Sequence, residues 1–197
     1  MAVILPRPKL VSQTKPTRER LLESAEEHLR ERGYSGLSLQ DVARASGIRK
    51  PGLYHHFPGG KDELVLTVAE RVLKRNEAQL RQAIASASGA EAQLRAVAGW
   101  LLGESRQLDQ VLRETVRFMP EANREEVTRR FFGTSFEPVQ AVIDEGVAHG
   151  TFRPLDTWLA TYAFFGLLTK FSDLTDEVPA DHLIEQVMDL FTLGVRS

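Results

Sequence analysis

The chain has 197 residues, 42% of them hydrophobic and 26% charged, with no cysteine and a formal net charge of −2. That length buries a substantial core, the lack of cysteine excludes disulfides and thiolate chemistry and fits a cytoplasmic protein, and no apolar run approaches the ~20 residues that span a bilayer. The charge is unevenly placed: residues 1–61 carry 11 Lys/Arg against 6 Asp/Glu, a net of +5, and residues 62–197 carry 14 against 21, a net of −7. A basic head on an acidic body is the asymmetry expected when one end approaches phosphate.

Residues 1–16, MAVILPRPKLVSQTKP, hold three prolines and only basic charges, Arg7, Lys9 and Lys15. They read as a flexible basic arm, either reaching a minor groove or forming an unanchored tail. The apolar run Ala2–Leu5 is too short for a signal-peptide core, and Pro6 ends it. From Thr17 to Gly33 the spacing of Leu21, Leu22, Ala25 and Leu29 predicts an amphipathic helix, with His28 at the edge of its core stripe. Gly33 suits the position just past the helix end, and Tyr34 and Leu37 are placed to pack beneath it.

Ser38 to Lys61, SLQDVARASGIRKPGLYHHFPGGK, reads as two short helices about a tight turn. Ser38 is a good N-cap, and Asp41 three residues on makes a short-armed capping box. Val42, Ala43 and Ala45 supply a small apolar stripe, and Gly47 stops the helix where a positive φ is easiest. A second helix begins near Arg49, with Pro51 tolerated in its first turn. Leu53 and Phe57 then face inward at i, i+4. Arg49, Lys50, Gly52, Tyr54 and His55 are left outside, a set suited to the major groove of DNA.

At these residues the chain resembles the TetR (tetracycline-repressor-like) family of transcriptional regulators. The resemblance lies in Ser38-Leu39-x-Asp41-Val42-Ala43, Ala45-Ser46-Gly47-Ile48, Leu53-Tyr54-x-His56-Phe57 and Lys61-x-x-Leu64. There are two departures. Arg49 stands where the family often has a small hydroxyl residue, and the Phe57-to-Lys61 connection is one residue longer than usual. The resemblance implies that Ser38, Tyr54 and Lys61 bind phosphates of a double-stranded operator. It implies that Arg49, Lys50, Gly52 and His55 face the groove and that Gln40 reaches a base from the preceding helix, while His56 is read as packing or bonding within the motif rather than reading DNA.

Beyond Gly60 a long helix is predicted, with Asp62 and Glu63 in its first turn and apolar residues from Leu64 to Ile84; Ser86–Gly89 end it. Further helices are expected near 90–105, 107–117, 121–149, 155–172 and 180–195, the third kinked or divided at Pro138. The expected fold class is therefore all-α. A three-helix helix-turn-helix head (17–64) is joined by the long helix to a larger body (65–197).

For the body, the resemblance implies a cavity for a small, mostly apolar effector. Candidate lining residues are Trp100, Phe118, Met119, Phe131, Phe132, Phe136, Tyr162 and Phe165; the same residues read alone are equally consistent with plain core. It also implies a homodimer through the last two helices. Leu159, Ala163, Gly166, Leu167 and Lys170 lie on one face of the first, and Leu183, Ile184, Val187, Leu190, Phe191 and Gly194 fall on faces of the second, with Leu183, Val187 and Phe191 taken as its contact residues. Effector binding would then move the long helix and change the separation of the two heads.

Catalysis finds no support. The five histidines form no HExxH and no cluster at metal-ligand spacing, and there is no GxSxG. Gly59-Gly60-Lys61-Asp62 lacks the Ser/Thr that follows a phosphate-loop lysine, and the required upstream glycine is His55. No enzyme activity, cofactor, metal or membrane association is expected. The rival reading is a helical protein–protein adaptor without specific DNA binding.

Overall fold

The computed structural model describes residues 15–103 and 116–195; the basic arm before Lys15, most of the helix expected over 107–117, and the last two residues lie outside the described residues. The described chain is all-α. Its helices are α1 (Thr17–Gly36), α2 (Leu39–Ala45), α3 (Lys50–His56), α4 (Gly60–Ala85) and α5 (Ala90–Leu102), followed by α6 (Glu121–Phe131), a π-helical turn (Phe132–Phe136), α7 (Glu137–Ala148), α8 (Thr157–Ser172) and α9 (Ala180–Val195).

Local chemistry sets most of these boundaries. α1 breaks at Gly33, whose φ of 63° only glycine adopts readily, and a short helical remnant carries on to Gly36. The Ser38 side chain caps α2 by accepting from Asp41 N at 3.4 Å. The reciprocal half of the box does not form. Asp41 turns outward to Arg44 at 2.5 Å and Arg32 at 3.5 Å, because its side chain is too short to reach back to the Ser38 amide. Ala45, expected on the apolar stripe, is exposed; Ser46 is buried in its place and donates to Arg20 O at 3.2 Å. Asp156 caps α8 by accepting from Leu159 N at 3.0 Å.

The stretch expected as one helix over 121–149 is divided as Pro138 requires, but through a π turn rather than a simple kink. Proline has no N–H to give to the carbonyl four residues back, so the ladder widens. Glu137 N bonds to Phe132 O, five residues earlier, and Pro138 falls in the first turn of α7.

Buried side chains form two cores. The first joins Leu21, Leu22, Ala25 and Leu29 of α1 with Val42 and Ala43, Leu53 and Phe57, and the α4 face from Leu64 to Leu73. It continues past residue 64 and also takes in Met119 and Val127. The second core gathers Leu80 with the inner faces of α5, α7, α8 and α9, and with Phe152. α4 therefore threads both cores, packing on α1, α5, α6 and the π turn. On its α1 side Arg71 reaches Glu19 at 2.6 Å and Arg75 reaches Glu26 at 2.8 Å, tying α1 to α4 across their surface.

Candidate nucleic-acid interface and effector cavity

α3 is only two turns long and is held by what it buries. Leu53 and Phe57 are both fully inaccessible in the first core. That orientation leaves Arg49, the N-cap, and Lys50, Tyr54 and His55 exposed on the opposite side. Lys50 Nζ lies 5.9 Å from the centre of the Tyr54 ring, so the two share one patch. Gly52 is half-buried; a Cβ there would meet Ile48 Cδ1 at an ordinary 3.7 Å, so the core does not demand glycine. His56 is half-buried with its ring edge-on to His55 at 5.4 Å. Gln40 is exposed on α2, and Ser38 sits half-buried at the α2 N-terminus, where unpaired amides favour an anion.

The longer connection after Phe57 is absorbed by Gly60, which takes a φ of 69° and donates its N–H to Phe57 O at 3.0 Å. Glu63 Oε2 accepts from Gly59 N at 2.7 Å, closing the start of α4. Lys61 thus emerges at the head of α4, with Nζ 4.5 Å from the centre of the Tyr34 ring. The Tyr34 hydroxyl donates to Asp62 Oδ1 at 2.5 Å; burial first, then this bond, pushes the phenol up to about 12. Sequence reasoning placed Tyr34 only as packing and missed its contact with Lys61. No sequence spacing signals it, since the residues are 27 positions apart.

The expected aromatic set divides. Trp100, Phe131, Phe132, Phe136, Tyr162 and Phe165 line one cavity of about 570 Å³, within the ~300–1,000 Å³ of small-molecule sites. Phe131 and Phe165 meet edge to face at 5.6 Å, and Phe136 stacks on Phe165 at 6.0 Å. Trp100 Nε1 donates to Gln79 Oε1 at 3.4 Å, which fixes the indole. Two expectations are corrected. Phe118 is exposed and off the cavity, and Met119 is buried in the first core, because residues 116–119 turn Met119 rather than Phe118 inward. The sequence reading missed the α4 and α6 contributions, Leu73, Asn76, Val127 and Thr128, since none is aromatic.

The face assigned to subunit pairing is also partly redrawn. On α8, Leu159, Ala163, Gly166 and Lys170 are exposed and Leu167 is half-buried, while Gly166 and Lys170 also line the cavity. On α9, Leu183, Val187 and Phe191 are buried within their own chain, with Phe191 packed on Phe164 at 4.9 Å. Their i, i+4, i+8 stripe is the one that holds α9 to α5 and α8, so it is not available to a second copy. The outer side of α9 presents Leu190, already placed on one of its faces from the sequence, together with Leu193, and α8 adds Trp158 and Tyr162.

Among the described residues no group of His, Cys, Asp and Glu is arranged to hold a metal, and no helix is long and apolar enough to cross a membrane.

Residues 21–68 match the family model described as bacterial regulatory proteins, tetR family. The HTH-type transcriptional regulator LmrA of Bacillus subtilis (strain 168) is 40% identical over 50 residues, 25% of this chain and 27% of LmrA. The chain thus spans about a quarter of that curated relative's length. Among solved structures, the TetR family transcriptional regulator PfmR from Thermus thermophilus is 27% identical with a TM-score of 0.70, covering 88% of this chain and 97% of PfmR. The transcriptional regulator FadR from Bacillus subtilis, solved in complex with stearoyl-CoA, has a TM-score of 0.76 at 17% identity, covering 90% of this chain and 99% of FadR. At that identity the second likeness is one of fold.

Proposed function

We propose that this chain, whose residues 21–68 match the tetR family model, is a helix-turn-helix DNA-binding transcription regulator of that family rather than an enzyme, and that it acts as a cytoplasmic homodimeric repressor released from a palindromic operator by a small, mostly apolar molecule. One observation carries the DNA-facing half of the reading. α3 buries Leu53 and Phe57 completely and leaves Arg49, Lys50, Tyr54 and His55 outside, so its outer side is cationic and polar. In this reading Arg49, Lys50, Gly52 and His55 face the major groove, with Gln40 beside them. Ser38, Tyr54 and Lys61 contact phosphates and set the register.

One short recognition helix reads few base pairs, so specificity needs a second copy with its half-site ~10 bp or a multiple away. The exposed Trp158, Leu159, Tyr162, Leu190 and Leu193 supply the apolar surface for it.

The effector half rests on what the cavity touches. Its wall includes Leu73 of α4 and Val127, Thr128 and Phe131 of α6. α6 is tied to α4 by Arg130–Glu70 at 3.1 Å and by Asn123 Nδ2 donating to Asp62 O at 3.4 Å, one residue from Lys61. Displacing Phe131 therefore pulls on the helix that carries the phosphate contact. The FadR complex with stearoyl-CoA supports a ligand with a long apolar part. Such a ligand changes DNA binding only if it prefers the non-binding arrangement.

Selection of bound sequences from a random DNA pool tests the first half. A two-fold symmetric site should emerge; recovery of no preferred sequence overturns it. Fluorescence anisotropy of that site against candidate effectors tests the second, and tight ligand binding with unchanged DNA affinity overturns it.

A further inference from the structure

We propose, resting on the effector reading above, that the cavity is built for an amphiphile with an apolar body and an anionic terminus, and that Lys170 holds the anion at the cavity mouth. Lys170 is the sole charged residue among the described residues that line the cavity, and no carboxylate lines it among them. Burying a cation among the rings without an acidic partner is unfavourable, whereas an anion finds its counter-charge here. Lys170 has a loose ion pair, to Asp173 at 3.7 Å, and its side chain is 82% exposed, so the ammonium sits at the rim rather than in the depth.

Among the described residues nothing closes the way between depth and rim. Gly166, one helical turn before Lys170 on the same side of α8, also lines the cavity, and a Cβ placed on it would meet nothing within 4 Å among the described residues. A ligand whose apolar part packs against Phe131, Phe136 and Phe165 can pass this gap and place its charged end beside Lys170. Thr169, adjacent in the lining, offers a hydroxyl to the same end.

A free fatty carboxylate and a nucleotide-bearing acyl thioester both carry this chemistry. The test titrates the full chain below micellar concentrations with laurate, lauroyl-CoA, dodecanol and dodecyltrimethylammonium. The emission of Trp100, which lines the cavity, reports binding. At least one anion should bind about tenfold more tightly than dodecanol, the order a charge-assisted hydrogen bond contributes. Lys170→Gln should remove that preference and leave dodecanol unchanged, while Lys170→Arg should keep it. Gly166→Leu, which the open space accommodates, should weaken all four ligands. Which anion binds identifies its source.

Binding of dodecanol or the cation as tight as that of the anions, equal weakening of all four by Lys170→Gln, or binding of none overturns the proposal. The same titrations with operator DNA present separate the two readings. Release by dodecanol without anion preference sinks this inference alone. Anion binding through Lys170 without release sinks the effector reading and leaves the site standing.

Discussion

Lys61 holds its ammonium 4.5 Å from the centre of the Tyr34 ring, across the junction between α1 and α4. The ring is itself fixed, because its hydroxyl is bonded to Asp62, the residue after Lys61. A lysine otherwise loses rotamer freedom when it docks on phosphate, and an aromatic surface that preorganises it reduces that loss. Tyr34→Leu should weaken operator binding about 2- to 5-fold, the factor matching the ~0.5–1 kcal/mol of an exposed cation–π contact. Tyr34→Phe keeps the ring and should lose less. Anisotropy titrations of both variants would check this, and equal losses would contradict it.

The same tyrosine has a signature in alkali. Its phenol is raised from 10.0 to about 12, so the folded state favours the protonated form. The stability this gives is complete below pH 10 and is lost as pH rises towards 12. Of the three tyrosines, one should ionise near 12 in absorbance at 295 nm, and Tyr34→Phe should abolish that phase.

The DNA-contact proposal separates phosphate from base contacts. Tyr54→Phe and Lys61→Ala should weaken binding to every sequence, and Lys61→Ala should lower the salt slope by about one counterion. Lys50→Ala should relax preference at a single operator position by about 1–3 kcal/mol. A mobility-shift series over salt and over point-substituted operators distinguishes the two patterns; a uniform response to all three variants would falsify the assignment.

Two positions on α9, six residues apart, should behave in opposite ways. Leu193 is 78% exposed and Val187 is fully buried. Leu193→Asp should leave the monomer fold intact, as read by circular dichroism, while shifting sedimentation towards monomer and reducing operator affinity. Val187→Asp should instead lower the thermal midpoint sharply, because it places an unpaired charge in the core.

Gly146 is a glycine for reasons of space. A Cβ there would overlap the ring of Phe152 and lie 2.9 Å from Ala90 Cβ, both in the second core. Gly146→Val should therefore destabilise the chain by about 1–3 kcal/mol in urea unfolding, against the gain in helix propensity. An unchanged midpoint would mean that the α5–α7 contact relaxes freely.

The helices were legible wherever apolar period and caps agreed. α9 was expected over 180–195 and is found at Ala180–Val195. The α3 stripe of Leu53 and Phe57 pointed inward as its spacing implied. Pattern alone failed where two apolar stripes share one helix. On α9 the stripe through Leu183, Val187 and Phe191 and the outer pair Leu190 and Leu193 are equally hydrophobic, and only the packing of α5 and α8 decides which is inside. Aromatic composition led to Trp100, Tyr162 and the four lining phenylalanines but to none of the cavity's aliphatic or polar wall, since Leu73 and Thr128 look like any other helical residue. Pairings across long separations, such as Asn123 with Asp62, leave no local trace at all.

The widened turn at Phe132–Phe136 acts as a one-residue spacer in an otherwise regular rod. Each residue of an α-helix advances the chain by about 100°, but five residues of this wider turn sweep about as far as four of a regular one, so losing Gly133 alone would close the ladder and leave the azimuth of later positions nearly unchanged. Val139, Val142 and Ile143 would then stay in the hydrophobic interior, and the re-aimed side chains would be Phe132, Ser135 and Phe136 of the cavity wall. Spare length is stored at this point, so a single-codon deletion across 132–136 reshapes the binding space before it disturbs the core.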